Sequence, residues 1–144
     1  MKLTFDQSQC FRVPEKLYDI LNTELEKLTP PDLTPEGIIF NFRDPTYSPV
    51  AGGFHDVDLR LELSKSSHQK ELWQFLYITD FSFQGDSFPE LAIEIDVCFI
   101  AKQVYSVYGG WLEETAGREL NELFLSNFIS YITMGVYQVE ITFY

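Results

Sequence analysis

Apolar residues recur first at helical spacing. Leu17, Leu21, Leu25 and Leu28 form a stripe that Tyr18 and Ile20 widen. Pro14 and Glu15 suit its first turn, where a missing N–H costs nothing and a carboxylate meets the positive end of the dipole. The prolines of residues 29–35 end this helix in an extended connector. From Glu36 the period changes to two, with Ile38, Phe40 and Phe42 alternating with Ile39, Asn41 and Arg43. A loop over 44–53 ends in two glycines. Val57, Leu59, Leu61 and Leu63 then alternate with Asp56, Asp58, Arg60 and Glu62, a strand with one wet face. Residues 64–70, including His68, read as a polar hairpin loop with a solvated histidine.

The next segment, 72–83, breaks the pattern. Trp73, Phe75, Tyr77, Phe81 and Phe83 fall on one face, yet Leu72, Leu76 and Ile78 populate the other. A strand apolar on both faces is central and covered twice, or it meets a partner. After a turn over 84–89, Leu91, Ile93, Ile95, Val97 and Phe99 alternate with Glu94, Asp96 and Cys98. A short strand follows over 103–108. A second helix is predicted over 115–134, with Leu120, Leu123, Phe124, Phe128 and Tyr131 as its stripe and Gly135 at its C-terminal cap. Tyr137, Val139, Ile141 and Phe143 mark a last strand. Short loops between consecutive strands make antiparallel neighbours. The expected fold is a single α+β domain over 1–144: a twisted antiparallel sheet of about five to seven strands flanked by an N-terminal and a C-terminal helix.

Composition sharpens this picture. Thirteen Phe, eight Tyr and two Trp in 144 residues exclude a disordered acidic tail. Ten basic against 22 acidic side chains leave a net charge of −12. That balance argues against nucleic acid, whose phosphates need a cationic track, and against an anionic membrane surface. It favours a basic partner. Acids without a base fill the stretch between Lys70 and Lys102, and Arg118 stands alone after it, which suggests an acidic surface on the C-terminal half. The opening residues lack a long apolar run and carry Asp6, so the chain reads as cytoplasmic.

Few motifs carry chemistry. The pairs Gly52-Gly53 and Gly109-Gly110 lack the rest of any phosphate-binding pattern, and there is no nucleophile elbow. His55-Asp56 invites comparison with His-Asp phosphohydrolases. With only His55 and His68 available, however, no metal site and no cofactor are expected. Cys10 and Cys98 read as ordinary reduced thiols. Asp56 with Asp58, and Glu94 with Asp96, should each share a strand face; crowded on neighbouring strands, the four could bind a hard cation or serve as acid and base, but a solvated outer face is the leading expectation. The loop after Asn41 is richest in chemistry. It offers Arg43, Asp44, Tyr47 and His55 to a ligand, and Asp80, placed after an apolar strand, needs a partner such as Arg43. These five are the candidate binding residues; no catalytic residue is assigned.

Four stretches carry a resemblance: Asn41-Phe-Arg-Asp-Pro-Thr-Tyr-Ser, Gly52-Gly-Phe-His55, Leu76-Tyr-Ile-Thr-Asp-Phe-Ser-Phe-Gln-Gly85 and Pro89-Glu-Leu-Ala-Ile-Glu-Ile-Asp96. They resemble a gammaproteobacterial, vibrio-type family of unknown function, often associated with mobile or pathogenicity-island DNA. The resemblance covers the chain from about residue 10 onward and brings no enzymatic motif. That family is similar in fold to the acidic mitochondrial matrix protein family, which implies a consecutive twisted sheet, terminal helices and assembly into acidic rings. The last strand inferred here departs from that family's helical C-terminus.

The leading functional expectation is a non-enzymatic protein-interaction domain that self-associates through Trp73, Phe75, Tyr77, Phe81 and Phe83. One alternative is an acidic decoy that mimics nucleic acid and occupies a DNA-binding protein. Another is a small-molecule binder or enzyme using Arg43, Asp44, His55 and Asp80.

Overall fold

Alternation from residue 37 onward builds one sheet, and the two amphipathic helices cover it. In a computed structural model, which describes residues 1–64 and 71–144, the order is α1 (Glu15–Glu26), β1 (Gly37–Arg43), β2 (Asp56–Leu63), β3 (Trp73–Gln84), β4 (Glu90–Cys98), β5 (Gln103–Ser106), β6 (Gly110–Trp111), α2 (Glu114–Thr133) and β7 (Gln138–Phe143). The sheet runs β6-β5-β4-β3-β2-β1-β7, and every neighbouring pair is antiparallel. The expected α+β architecture is found. His68 and most of the expected loop over 64–70 lie outside the described residues. No described helix is long and apolar enough to cross a membrane.

Leu17, Tyr18, Leu21 and Leu25 are the buried stripe of α1. The helix ends at Glu26 because the prolines that follow disfavour helical backbone, so Leu28 is left 41% exposed. The Glu113 carboxylate caps α2 by accepting the Thr115 and Ala116 N–H groups at 3.0 and 2.6 Å. The buried side of α2 is rotated from the expected stripe: Asn121, Phe124, Leu125 and Phe128 face the sheet, and Leu123 is 60% exposed. Gly135, in the left-handed region, ends the helix as expected. β7 then returns to pair with β1, matching Phe42 with Val139 and Phe40 with Ile141 on the helix-covered side.

Two register shifts reset the faces. On β3, Arg60 pairs with Tyr77 but Leu61 pairs with Phe75, so one extra β3 residue sits between them. On β4, Asp80 pairs with Ile95 but Phe81 pairs with Ile93, leaving Glu94 as the extra residue. A strand that gains one residue turns its later side chains to the opposite face. Trp73 and Phe75 therefore enter the core, at 4% and 1% exposure. Beyond the bulge, Ile78, Asp80 and Ser82 face the helices, and Tyr77, Phe81 and Phe83 lie half-buried on the helix-free face. The expectation of five aromatics on one face is corrected accordingly. Trp73 and Phe75 belong to the core and are not available to a partner. Glu94 and Asp96 likewise part company, because the bulge turns Glu94 to the helix side.

Substitution at the two ends of β3 reports this switch. Phe75→Ala should cost about 3–5 kcal/mol in denaturant unfolding. Phe83→Ala, on the open face, should cost less than about 1.5 kcal/mol. Equal losses would contradict the bulge.

Candidate functional site

The loop between β1 and β2 is closed by its own side chains. Asp44 is buried under the loop. Its carboxylate accepts the Thr46 N–H at 2.9 Å, the Thr46 hydroxyl at 2.7 Å and the Phe54 N–H at 3.0 Å. The Thr46 hydroxyl and these amides hold its carboxyl below the usual range. Ser48 and Gly52 exchange backbone hydrogen bonds at 3.3 and 2.9 Å. Gly53, in a left-handed conformation, passes so close to Asp44 and Tyr47 that a Cβ would lie 2.9 Å from each. The Tyr47 hydroxyl accepts the Phe83 N–H at 2.9 Å, tying the loop to β3.

This closure delivers His55 to the edge of a cavity between α2 and the sheet. The cavity, of about 340 Å³, is walled by Phe54, Leu120, Phe124, Phe128, Tyr131 and Tyr137. His55 Nδ1 meets the two Asp80 carboxylate oxygens at 3.2 and 3.1 Å and Glu94 Oε2 at 3.5 Å. Asp80 is 5% exposed and opposite Val57 in the ladder, a position that the β3 bulge creates. Glu94 reaches the site through the β4 bulge, and the Ser82 hydroxyl donates to its other oxygen at 3.1 Å. The Tyr47 ring lies stacked 5.4 Å from the imidazole. The hydrogen bond to Asp80 holds the His55 pKa above its ordinary value, and burial opposes it.

The five residues expected as a binding set thus separate. His55 and Asp80 meet directly, and Tyr47 supports the imidazole. Asp44 spends its carboxylate on the loop, and with Arg43 and Tyr47 it lines a separate cavity of about 290 Å³ beside Phe83 and Leu91. Arg43 is exposed at the end of β1, on the helix-free side, where its charge opposes the burial of Asp56. The partner of Asp80 is His55, not Arg43. Glu94 stands in the sequence as one of four strand carboxylates, but alternation places it with Asp96 and not with His55. Nothing in a single sequence marks the bulge that moves it.

The helix-free face has a different character. Asp56, Asp58, Glu62, Asp96 and Glu140 outnumber Arg43 and Arg60 there. Arg60 is already engaged with the Tyr144 hydroxyl and lies 3.8 Å from Glu62. Asp58 accepts the Asn41 amide at 2.6 Å, and Asp96 accepts the Thr79 hydroxyl at 3.0 Å. Burial pushes the carboxyls of Asp56 and Asp96 upward, with Arg43 and Thr79 opposing it. Between these acids lie Tyr77, Phe81, Phe83, Leu91 and Ile93. At the sheet edge the Tyr105 ring meets Trp111, which is 52% exposed. The acidic surface therefore draws on both halves of the chain, not on the C-terminal half alone.

A helix-covered, seven-stranded antiparallel sheet with a closed β1–β2 loop defines an α+β domain. Residues 15–142 match the DUF2787 proteins of unknown function, and the chain belongs to that family. Among solved structures, the hypothetical protein VC0508 from the VSP-II pathogenicity island of Vibrio cholerae is 33% identical. It aligns with a TM-score of 0.82 over 96% of this chain and 99% of that one. The hypothetical protein VC1805 from the Vibrio cholerae island VPI-2, described as sharing structural homology with the human p32 protein, is 28% identical. It has a TM-score of 0.73 over 93% of this chain and 97% of that one. No curated protein matches. The resemblance to a vibrio-type family, and to a mitochondrial-matrix-type fold, is thereby found.

The His55–Asp80 contact has a sign that pH can read. A histidine pKa raised above its unfolded value of about 6.5 stabilises the fold fully below that pH, and the stabilisation is lost as pH rises through the raised value. Asp80→Asn should lower the His55 pKa, followed by ring-proton NMR. The melting-temperature gap between this variant and wild type should narrow above neutral pH. An unchanged ring pKa would rule out the Asp80 hydrogen bond as the cause.

Proposed function

We infer that the protein is a non-enzymatic binding domain that receives a basic polypeptide segment on the helix-free face of its sheet. The observation that carries this reading is the interleaving of half-buried carboxylates with half-buried and exposed apolar side chains, Asp56, Asp58 and Asp96 among Phe81, Phe83, Leu91 and Ile93. A carboxylate drawn out of water without a full counter-charge gains from a docking cation, and its apolar neighbours gain from being covered. A segment that alternates Lys or Arg with aromatic or aliphatic residues satisfies both needs.

Charge also bears on self-association. Two copies joined through this face would set carboxylates against carboxylates, and like-charge juxtaposition costs several kcal/mol. The same face thus favours a basic partner over a second copy. A nucleic-acid mimic projects its acids into solvent at phosphate-like spacing; acids set among aromatics favour a protein segment instead.

The test is fluorescence anisotropy with a labelled peptide that alternates arginine and phenylalanine. Wild type should bind it with an affinity that falls as salt is raised. Asp58→Asn combined with Asp96→Asn should weaken binding about tenfold or more, roughly the worth of one desolvated charge pair. Glu24→Gln with Glu26→Gln, on α1, should leave it unchanged. Equal losses in the two variants, or no binding by wild type, would overturn the assignment. So would light scattering that shows a dimer dissociated by the Asp58 and Asp96 changes.

A further inference from the structure

The other side of the sheet supports an inference independent of the partner-binding face. His55, Asp80 and Glu94 arrive from three places distant in sequence, the end of a loop and two bulged strands, and their ligating atoms all lie within 4.8 Å of one another. We propose that these three side chains form a binding site for one divalent first-row cation of the zinc or manganese class, with its open coordination positions facing the aromatic-walled cavity.

Donor type and spacing both fit. One imidazole nitrogen and two carboxylate oxygens are the ligands that borderline divalent cations accept. Atoms bound at about 2.0–2.2 Å around one ion stand roughly 3.0–3.6 Å apart. His55 Nδ1 stands 3.1 Å from Asp80 Oδ2 and 3.5 Å from Glu94 Oε2, so two sides of the triangle already have this span. Two carboxylates with a neutral imidazole carry −2, which one divalent ion cancels.

The surroundings hold the ligands in place. Ser82 donates to Glu94 Oε1, which leaves Oε2 directed at His55, and the Gln84 amide donates to the Ser82 hydroxyl at 3.3 Å. Tyr47, fixed by the Phe83 N–H, stacks on the imidazole. Outer contacts of this kind orient the ligands of metal sites and raise their affinity. Three protein ligands leave coordination positions free. Beside them lies a cavity of about 340 Å³ whose walls are largely apolar and aromatic, suited to a small molecule that completes the coordination. Two histidines in the sequence give no metal site by count alone. The register shift in β4 supplies the missing ligand by bringing Glu94 to His55.

Isothermal titration of the full, chelator-treated chain with Zn²⁺, and separately with Mn²⁺, tests the site. Wild type should take up one saturable equivalent, and Zn²⁺ should shift the His55 ring resonances. Glu94→Gln and His55→Ala should each weaken binding about 100-fold, and Ser82→Ala about tenfold. Glu62→Gln with Glu140→Gln, on the opposite face, should change nothing, which separates the site from diffuse adsorption by surface acids. Glu94 and His55 are only half-buried, and an unchanged circular dichroism spectrum would show that their variants fold. The absence of a saturable equivalent in wild type, or undiminished uptake by Glu94→Gln, would overturn the proposal. Uptake of an organic ammonium ion in place of either metal would overturn it too.

Discussion

A strand has two faces, and one additional residue exchanges them; the two bulges in the middle of this sheet decide what the rest of the molecule can be. With unbroken alternation, β3 would bury Tyr77, Phe81 and Phe83 beneath the helices and turn Asp80 away from them. The bulge beside Leu61 reverses this and places Ile78, Asp80 and Ser82 beneath the helices instead. That exchange trades apolar burial for polar burial, which is unfavourable unless the polar groups are paired. His55 pairs with Asp80, and Ser82 pairs with a glutamate that the second bulge delivers. A sheet built for stability alone has no need of either arrangement.

The same exchange gives the two sides of the sheet separate chemistry. Beneath the helices, a histidine and two carboxylates sit at one end of an aromatic cavity. On the open side, the displaced aromatics mingle with acids that would otherwise be ordinary solvated strand residues. The net charge of −12 is thus partly gathered on a surface that is also apolar. The closed loop of residues 44–55 bridges the two sides. Tyr47 bonds to the amide of Phe83 on the open face while its ring rests against His55.

Much of the fold was legible in the chain. The leucine stripe of α1, the alternation of β1 and β2, the glycine after α2 and the last strand follow from local periodicity, and the structure contains them all. The chemistry of the loop was legible as composition, so Tyr47, His55 and Asp80 stood out. Their roles did not, because Asp44 and Arg43 look equally promising until the backbone assigns one to a turn and the other to the opposite face. Glu94 was visible as a strand carboxylate, but its meeting with His55 was out of reach. Its position depends on a register shift set by pairing between strands, and a bulge of one residue leaves no mark on the sequence of either strand. The same shift defeated the single-face reading of the β3 aromatics.

The position of β7 carries a consequence for the order of assembly. β1 is flanked by β2, which follows it at once, and by β7, which arrives only after β2–β6 and the whole of α2 have been made. During synthesis, Ile38, Phe40 and Phe42 therefore belong to an outer strand with one row of unmet backbone groups, and that row waits until the residues of β7 have emerged. Closure over such a separation is slow relative to neighbouring hairpins, since loop entropy must be met before the contact forms. The interval leaves a nascent chain with an apolar, open edge, the geometry that invites mispairing between chains.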